Sequence, residues 1–426
     1  MYKKFGAFCY ICVIMQRCVL RLLVFLLVLG SCARTPESTN VVYKAPELCK
    51  AVPSDAMGLG LFSRLDHGLD RLTDSASVFR KLDYGRLSHA RAAIALCNVG
   101  TVTPLVIIEA GKADGDTLSA AASLISQADS MGLFPLHTSL SEHNVLMLST
   151  SPTVITVVKR HLDAESSILD APYFNGAVQH LGNQDALIWR NSGASKLFPG
   201  TVSGIPRKQF ISFLKGAAEW TVLSGDKIFT VQPQNEKYFS YFLSTLEEGQ
   251  SKLAQTCPEN AELIIDFPIA DRKSWRRSYE ALLDARVELE AYQDRLKALK
   301  KSTGKSPLDW EKENDIQEAV YLACKGYCLN MLRSGKASKK EKVEGVIANA
   351  YTGFANALYG APFEAADSCC IRQGNWIISG PRAVLDTLRL TKLKGWPSKA
   401  CVAVQTSAHK LTWTKDNTIT WQDSNL

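Results

Sequence analysis

Residues 143–160, HNVLMLSTSPTVITVVKR, carry the pattern that decides the fold. The first half is an apolar run typical of a buried strand. The second half places Val154 and Val158 four positions apart, which is the spacing of one helix face. Pro152 lies between the two halves, where a short turn is expected. The stretch therefore predicts a strand, a turn and a helix in immediate succession.

A second stretch, residues 373–390 (QGNWIISGPRAVLDTLRL), aligns with the first without a gap. The aligned pairs include Leu146 with Trp376, Ile155 with Leu385, Ser149 with Ser379 and Val154 with Val384. Only the last two pairs are identical, and binary patterning alone produces matches of this kind. Chance and duplication both remain open. We expect a strand-turn-helix unit in each of two α+β lobes.

The first lobe is expected over residues 58–255. Apolar residues between Leu61 and Leu72 have helical spacing, and RAAIALCNVG and TPLVIIEAG predict two consecutive strands. GDTLSAAASLISQADSMG predicts an Ala-rich helix, and EWTVLSGDKIFTVQ predicts a hairpin that turns at residues 224–226.

A long helical hairpin is expected over residues 256–340, after the strand ELIIDFP. An amphipathic pattern over 271–301 predicts its first helix, and STGKSP ends that helix. The segment that includes DIQEAVYLACKGYCLNMLR predicts the second helix. The second lobe, residues 341–426, ends in three short β-patterned segments. The predicted fold class is α+β, with two lobes separated by the hairpin.

The N-terminal residues predict export. The unbroken apolar run Leu22–Leu29 is too short for a membrane span, which needs about 20 apolar residues, and it matches the core of a signal peptide. The signal is expected to cover residues 1–31, with its start at Met1 or Met15 and cleavage after Ser31. LGSC resembles the bacterial lipobox, and the resemblance implies that Cys32 becomes the acylated N-terminus. An ordinary signal or an N-terminal anchor helix is the alternative.

Residues 32–57 contain three prolines and no sustained periodicity, so a tether is expected there. Four of the basic residues lie in the predicted leader, and their removal lowers the net charge from +7 to about +3. No basic stripe suggests a nucleic-acid partner. Eight cysteines then follow Cys32, and an exported chain permits either disulfides or buried free thiols. These are Cys49, Cys97, Cys257, Cys324, Cys328, Cys369, Cys370 and Cys401.

The motifs that suggest chemistry are weak. TGKS lacks the first glycine of a phosphate loop, and Ser-x-x-Lys occurs four times without the other motifs of penicillin-binding enzymes. Cys324 and Cys328 would share a helix face and could bind a soft metal, but core packing as small hydrophobic residues is the favoured interpretation. The histidines are scattered singly, and no Gly-x-Ser-x-Gly elbow is present. We therefore predict no catalytic residues, no metal and no cofactor.

Four tryptophans crowd the C-terminal lobe: Trp376, Trp396, Trp413 and Trp421. They are candidates for an aromatic surface that binds a glycan or another envelope protein, although tryptophans at alternate positions more often belong to a sheet core.

Two segments, ESSILDAPYF (165–174) and STGKSPLDWEKENDIQEAVYLA (302–323), resemble uncharacterised Bacteroidetes-type envelope lipoproteins. The resemblance implies a signal, an α+β lobe, a helical hairpin and a second lobe, and it implies no activity. The predicted function is a lipid-anchored, non-enzymatic scaffold or binding module, with an envelope hydrolase as the alternative. A lipoprotein without an Asp after Cys32 is expected at the outer membrane, facing the periplasm.

Overall fold

The structure is a computed structural model. It describes residues 47–73, 76–111, 115–140, 143–181, 185–197, 215–225, 227–231, 235–258, 261–324, 326–336, 346–360, 362–363, 369–406 and 409–423. The predicted signal peptide, Ser31 and Cys32 lie outside these residues. Helices and a large antiparallel sheet arrangement make the chain a mixed α+β protein. It divides into two compact units, Met1–Pro233 and Gln234–Leu426.

The first unit contains an antiparallel sheet with the strand order β4-β5-β3-β2-β1-β6-β7-β8. Its strands are β1 (Gly58–Phe62), β2 (Ala92–Asn98), β3 (Val102–Gly111), β4 (Phe134–Leu140), β5 (His143–Ser149), β6 (Ala186–Arg190), β7 (Trp220–Ser224) and β8 (Lys227–Val231). β1 lies between two partners, because Leu59 pairs with Ala95 of β2 and with Ile188 of β6. The predicted strands over 92–98 and 102–111 and the hairpin over 220–231 are confirmed.

Both faces of this sheet are covered. The described helices are α1 (Leu65–Leu72), α2 (Gly115–Ser130), α3 (Pro152–Asp163), α4 (Phe174–Val178) and α5 (Ala194–Leu197). On one face, Leu65 of α1 and Leu124 of α2 pack with Ile108. On the other, Val158 of α3 and Phe174 of α4 pack with a 3-10 turn, Glu47–Ala51. Strands buried on both faces are apolar at nearly every position.

The second unit contains an antiparallel sheet with the order β14-β15-β13-β12-β11-β18-β19-β20. Its strands are β11 (Ala261–Pro268), β12 (Ile316–Cys324), β13 (Tyr327–Ser334), β14 (Cys369–Gln373), β15 (Trp376–Gly380), β18 (Val402–Thr406), β19 (His409–Trp413) and β20 (Thr418–Asp423). Two short ladders join β9 (Gly249–Gln250) to β17 (Lys399–Ala400) and β10 (Cys257–Pro258) to β16 (Leu390–Thr391). The strand over 262–268 and the three C-terminal β-segments are confirmed.

A buried ion pair joins four helices of the second unit. The described helices of this unit are α6 (Phe239–Ser244), α7 (Arg272–Ala285), α8 (Leu289–Thr303), α9 (Pro307–Asn314), α10 (Val346–Tyr359) and α11 (Arg382–Asp386). Arg276 of α7 donates to Glu311 of α9 over 2.5 Å and to the Tyr292 hydroxyl of α8 over 2.9 Å. Tyr359 of α10 donates to the same Glu311 carboxylate over 2.7 Å. One ion pair therefore joins four helices.

The predicted helical hairpin over 256–340 is wrong. The pattern over 271–301 forms two helices, α7 and α8, because the chain turns at Val287, whose φ is +61°. After α9 the chain forms the β-hairpin β12–β13 instead of a second long helix. Alternate residues of β12 pack on opposite faces of the sheet, and both faces are apolar, which hides the two-residue period.

Three other boundaries differ from prediction. The tether predicted over residues 32–57 is wrong for its described part, because the 3-10 turn Glu47–Ala51 and the following Val52 pack in the core of the first unit. Leu61 and Phe62 lie in β1, and the helix begins at Leu65, since the central strand takes the first apolar residues of that pattern. The compact units meet at 233/234, whereas the first lobe was predicted to end at 255.

The strand-turn-helix prediction is confirmed at both places, as β5–α3 and β15–α11. The register of the alignment is wrong by one residue. Val145 and Met147 pack in the core beneath α3, whereas Trp376 and Ile378 pack in the core beneath α11. The gapless alignment pairs Trp376 with Leu146, which packs in the opposite layer beneath α1 and α2. A shift of one residue moves a strand side chain to the other face of its sheet.

Among the described helices, none combines the length and the apolar character that crossing a bilayer requires.

Candidate functional site

The predicted aromatic surface is buried where its rings are described. Trp376, Trp396 and Trp413 are 4%, 7% and 7% exposed. The first two belong to the core beneath α11. Trp413 packs edge-on against Phe239, with ring centroids 5.9 Å apart. The prediction of a ligand-facing surface is therefore wrong for these three, and the side chain of Trp421 lies outside the described part of the chain.

Trp396 instead closes a buried network around two carboxylates. Its Nε1 lies 2.9 Å from Asp266 Oδ2 and 3.0 Å from Ser251 Oγ. Ser251 Oγ is 2.6 Å from Asp266 Oδ2 and 2.9 Å from Glu318 Oε1. Arg333 Nε donates to Glu318 Oε2 over 2.6 Å. The network ties β11, β12 and β13 to the segments that precede β11 and follow β15.

Burial raises the pKa of Asp266 well above its ordinary value, and the neighbouring Glu318 carboxylate raises it further. Hydrogen bonds from Ser251 and Trp396 act in the opposite direction. A hydrogen bond shared with Glu318 also raises this pKa, and Asp266 Oδ1 has no hydrogen-bond partner among the described residues. Asp266 and Glu318 are both 0% exposed. A substrate cannot reach them, and the pair serves to hold the fold.

A serine, a histidine and an aspartate meet at the surface of the first unit, but in the wrong order for catalysis. Ser63 Oγ donates to Asp185 Oδ1 over 3.0 Å, and His67 Nδ1 is 3.8 Å from Asp185 Oδ2. Arg71 also contacts Asp185, at 3.1 Å. In a nucleophilic triad the imidazole lies between the hydroxyl and the carboxylate. Here the carboxylate lies between them, so His67 is not placed to take the proton of Ser63.

The eight cysteines after Cys32 are free thiols in the structure. Cys324 ends β12 and Cys328 lies in β13, so the prediction that they share a helix face is wrong. Burial raises the pKa of Cys49 and that of Cys97 to about 12. Because the thiolate is the reactive form, such thiols act as small core residues. No three His, Cys, Asp or Glu side chains converge as metal ligands within the described ranges.

A polar cavity of about 230 Å³ lies in the first unit, at the ends of β1, β2 and β6. It is lined by Asp55, Met57, Asn98, Arg190, Ser192, Gly193, Ser195 and Lys196. The backbone N–H of Met57 donates to Leu96 and that of Arg190 donates to Met57, both over 2.9 Å. These bonds extend the ladders past the strand ends and bring the lining residues of three strands together.

The turn after β6 is fixed from beneath by Asn191, which is fully buried. Its backbone N–H donates to the Glu219 carbonyl over 2.9 Å, and its Oδ1 accepts from the Thr221 hydroxyl over 3.0 Å. A β-carbon on Gly193 would lie 3.2 Å from Met57 Cβ, so glycine lets the turn approach β1 closely. The lining residues on the turn are therefore held on a fixed backbone.

Arg190 is the principal cation of the cavity. Its guanidinium lies 4.6 Å from the centroid of the Trp220 ring, and its side chain is 20% exposed. Its Nε is 3.8 Å from Glu219 Oε1, which is too long for a hydrogen bond. That buried nitrogen has no hydrogen-bond acceptor among the described residues. A guanidinium carries five N–H donors, and leaving a buried donor unmatched costs about 1–3 kcal/mol.

Lys196 supplies a second positive charge. Its Nζ donates to Asn98 Oδ1 over 2.7 Å, while its side chain remains exposed. Asp55, also exposed, is the one lining residue of opposite charge. The lining thus presents a guanidinium, an ammonium and neutral polar groups around a small volume. Such a set can hold an oxyanion, and it contains no nucleophile activated by a base.

The sequence alone does not predict a role for Arg190 or Lys196. The local signal is RNSGASK, residues 190–196, where a strand ends in an arginine and small polar residues lead to a lysine. This pattern alone is common in loops. The cavity also depends on Asp55, Met57 and Asn98, which approach the turn only in the folded chain.

No family model matches the chain, and no match is found among curated proteins or solved structures.

Proposed function

We propose that the chain is a lipoprotein of the bacterial cell envelope, anchored to the membrane through Cys32, and that its folded body is a non-enzymatic binding module. The observation that carries the anchor is LGSC at residues 29–32, directly after a signal-type apolar run. Two or three acyl chains bury enough methylene groups to hold a protein stably on a bilayer, whereas one does not. The N-terminal context and the two segments that resemble envelope lipoproteins favour the outer membrane, facing the periplasm.

The polar clusters of the body support binding over catalysis. Asp185 separates Ser63 from His67, and the buried pair Asp266–Glu318 has no path to solvent. The partners of such a module would be the membrane, through the lipid, and an envelope protein or a glycan, and no feature favours nucleic acid.

We also infer that the two units are two copies of one α+β lobe. In each, the sheet order follows the same scheme, with β1–β8 corresponding to β11–β15 and β18–β20. Helices follow the first, third and fifth strands in both units, while the second and third strands form a direct hairpin. A shared order of eight strands with insertions at the same three points is hard to reach by chance, and it favours duplication over binary patterning alone.

Replacing Cys32 by serine tests the anchor. We expect the Cys32→Ser chain to lose labelling by a metabolic fatty-acid probe and to move from the membrane to the soluble fraction. Cys369→Ser, which alters a half-buried free thiol of the body, is the matched control and should behave as wild type. Unchanged labelling and unchanged fractionation of the Cys32→Ser chain would contradict the proposal.

A further inference from the structure

We propose that the cavity at the ends of β1, β2 and β6 binds the carboxylate of a small ligand, with Arg190 as its main donor. This deepens the proposed binding role and rests on it, but it does not depend on the lipid anchor. The class of ligand follows from the donors, the charge and the size of the cavity.

Arg190 and Lys196 supply the hydrogen-bond donors of the cavity. Arg190 makes a cation–π contact with Trp220 and an ion pair with Glu219 at 3.8 Å. Neither contact is a hydrogen bond, so neither occupies an N–H group of the guanidinium. The stacking on Trp220 fixes the plane of the guanidinium. A planar fork held in this way matches the two oxygens of a carboxylate. Lys196, whose ammonium has three donors and uses one on Asn98, can add a further contact.

The charge of the cavity lining favours a carboxylate over a phosphate as the ligand. Arg190 and Lys196 bring two positive charges to the lining, and Asp55 brings one negative charge. Glu219 Oε1 lies 3.8 Å from Arg190 Nε and weakens the field of the guanidinium. Repulsion from Asp55 and Glu219 is larger for a phosphate dianion than for a carboxylate, which carries a single charge. The balance therefore favours the monoanion.

The volume limits the rest of the ligand. About 230 Å³ is below the usual range of drug-sized pockets, which begins at roughly 300 Å³. It suits a carboxylate with a few attached carbon atoms, and Met57 supplies an apolar surface for them. The ligand is either a free small acid or the carboxyl end of a longer molecule, and the chemistry of the contact is the same.

The test compares N-acetylalanine, which has a free carboxylate, with N-acetylalaninamide, which does not. Each is titrated into the full-length chain, and its binding is measured by ligand-detected NMR. A second arm uses a tripeptide with a free or an amidated C-terminus, and it distinguishes a small acid from a chain end. We expect the acid of at least one pair to bind and both amides not to bind. Inorganic phosphate, as competitor, should displace the acid weakly.

Arg190→Gln should weaken acid binding by about tenfold or more, as expected for loss of a charge-assisted fork. Arg160→Gln makes the same change at an exposed position of α3 and should leave binding unchanged. Lys196→Gln, also at an exposed position, should weaken binding severalfold, and it keeps the test decisive if Arg190→Gln fails to fold. Equal binding of acid and amide, no binding of either acid to the folded wild-type chain, or tighter binding of phosphate than of the acids would overturn the proposal. A chain that binds the acid but carries no lipid on Cys32 would overturn the lipid attachment alone.

Discussion

Replacing Glu311 by alanine should cost much more stability than replacing Glu313, although both lie on α9 and each contacts a basic side chain. Glu311 and its partner Arg276 are 4% and 11% exposed. Glu313 and its partner Lys305 are 58% and 39% exposed. The two variants therefore compare a buried ion pair with a solvated one on the same helix.

The magnitudes follow from burial. Burial alone would lower the pKa of Arg276, but Glu311 together with Tyr292 and Tyr359 more than offsets this, and the net shift is upward. Glu311→Ala leaves that guanidinium buried and uncompensated, and breaking such a pair costs about 3–5 kcal/mol. Tyr359 also loses the acceptor of its 2.7 Å hydrogen bond. Glu313→Ala removes a surface pair, which is worth about 0–1 kcal/mol.

Urea unfolding of the full chain, followed by circular dichroism and tryptophan fluorescence, measures the difference. With a slope of about 2 kcal/mol per molar urea, Glu311→Ala should lower the midpoint of the affected transition by about 1.5–2.5 M. Glu313→Ala should lower it by less than about 0.5 M. Equal, small shifts for the two variants would refute the reasoning, because they would mean that Glu311 does not join the helices through a buried charge.

Three further outcomes are expected. The pKa of Asp266 is raised in the folded state, so this residue contributes to the free energy of unfolding while it is protonated. That contribution is fully present below about pH 4, the pKa of an unfolded aspartate, and is lost as the pH rises through the folded-state pKa. Urea midpoints of the wild type should therefore fall over this range more than those of Asp266→Asn, and an equally steep fall in the variant would count against a buried protonated acid. Val287 has φ +61° and is 93% exposed, so replacing it by glycine should raise the free energy of unfolding by about 0.5–1 kcal/mol and raise the thermal midpoint. A lower midpoint would contradict a strained turn at this residue. A β-carbon on Gly249 would lie 2.3 Å from the backbone of Pro268. Gly249→Ala should therefore lower the free energy of unfolding by about 1–3 kcal/mol and lower the thermal midpoint. An unchanged midpoint would argue against this close approach.

Much of the fold could be predicted from local pattern. The strands over 102–111 and 143–149 are continuous apolar runs bounded by turn residues, and the helix over 115–130 is Ala-rich. Each of these signals lies within the element itself. The same applies to the strand-turn-helix pattern, which appears at both places where the sequence predicts it.

The hairpin β12–β13 could not be predicted from the same signals. Ala319 lies on one face of the sheet, Val320 and Leu322 lie on the other, and all three are 0% exposed. A strand buried on both sides has no polar face, so its pattern is indistinguishable from that of a buried helix. The cue that was available is Gly326, which has φ +86° in the turn of the hairpin.

The candidate site was beyond local pattern for a different reason. Arg190 gains its role from Trp220, which stacks on it, and from Met57 and Asp55, which precede it by more than a hundred residues. Trp396 illustrates the converse case. It was predicted to face a ligand, and its indole N–H is instead used on Asp266 inside the second unit.

The lipid attachment of Cys32 is tested most directly by the mass of the N-terminal peptide of the chain purified from membranes. We predict a peptide that begins at Cys32, with nothing before it, and that carries two or three acyl chains. An unmodified cysteine, an N-terminus that retains the residues before Cys32, or cleavage at a position beyond it would contradict a lipid-anchored protein.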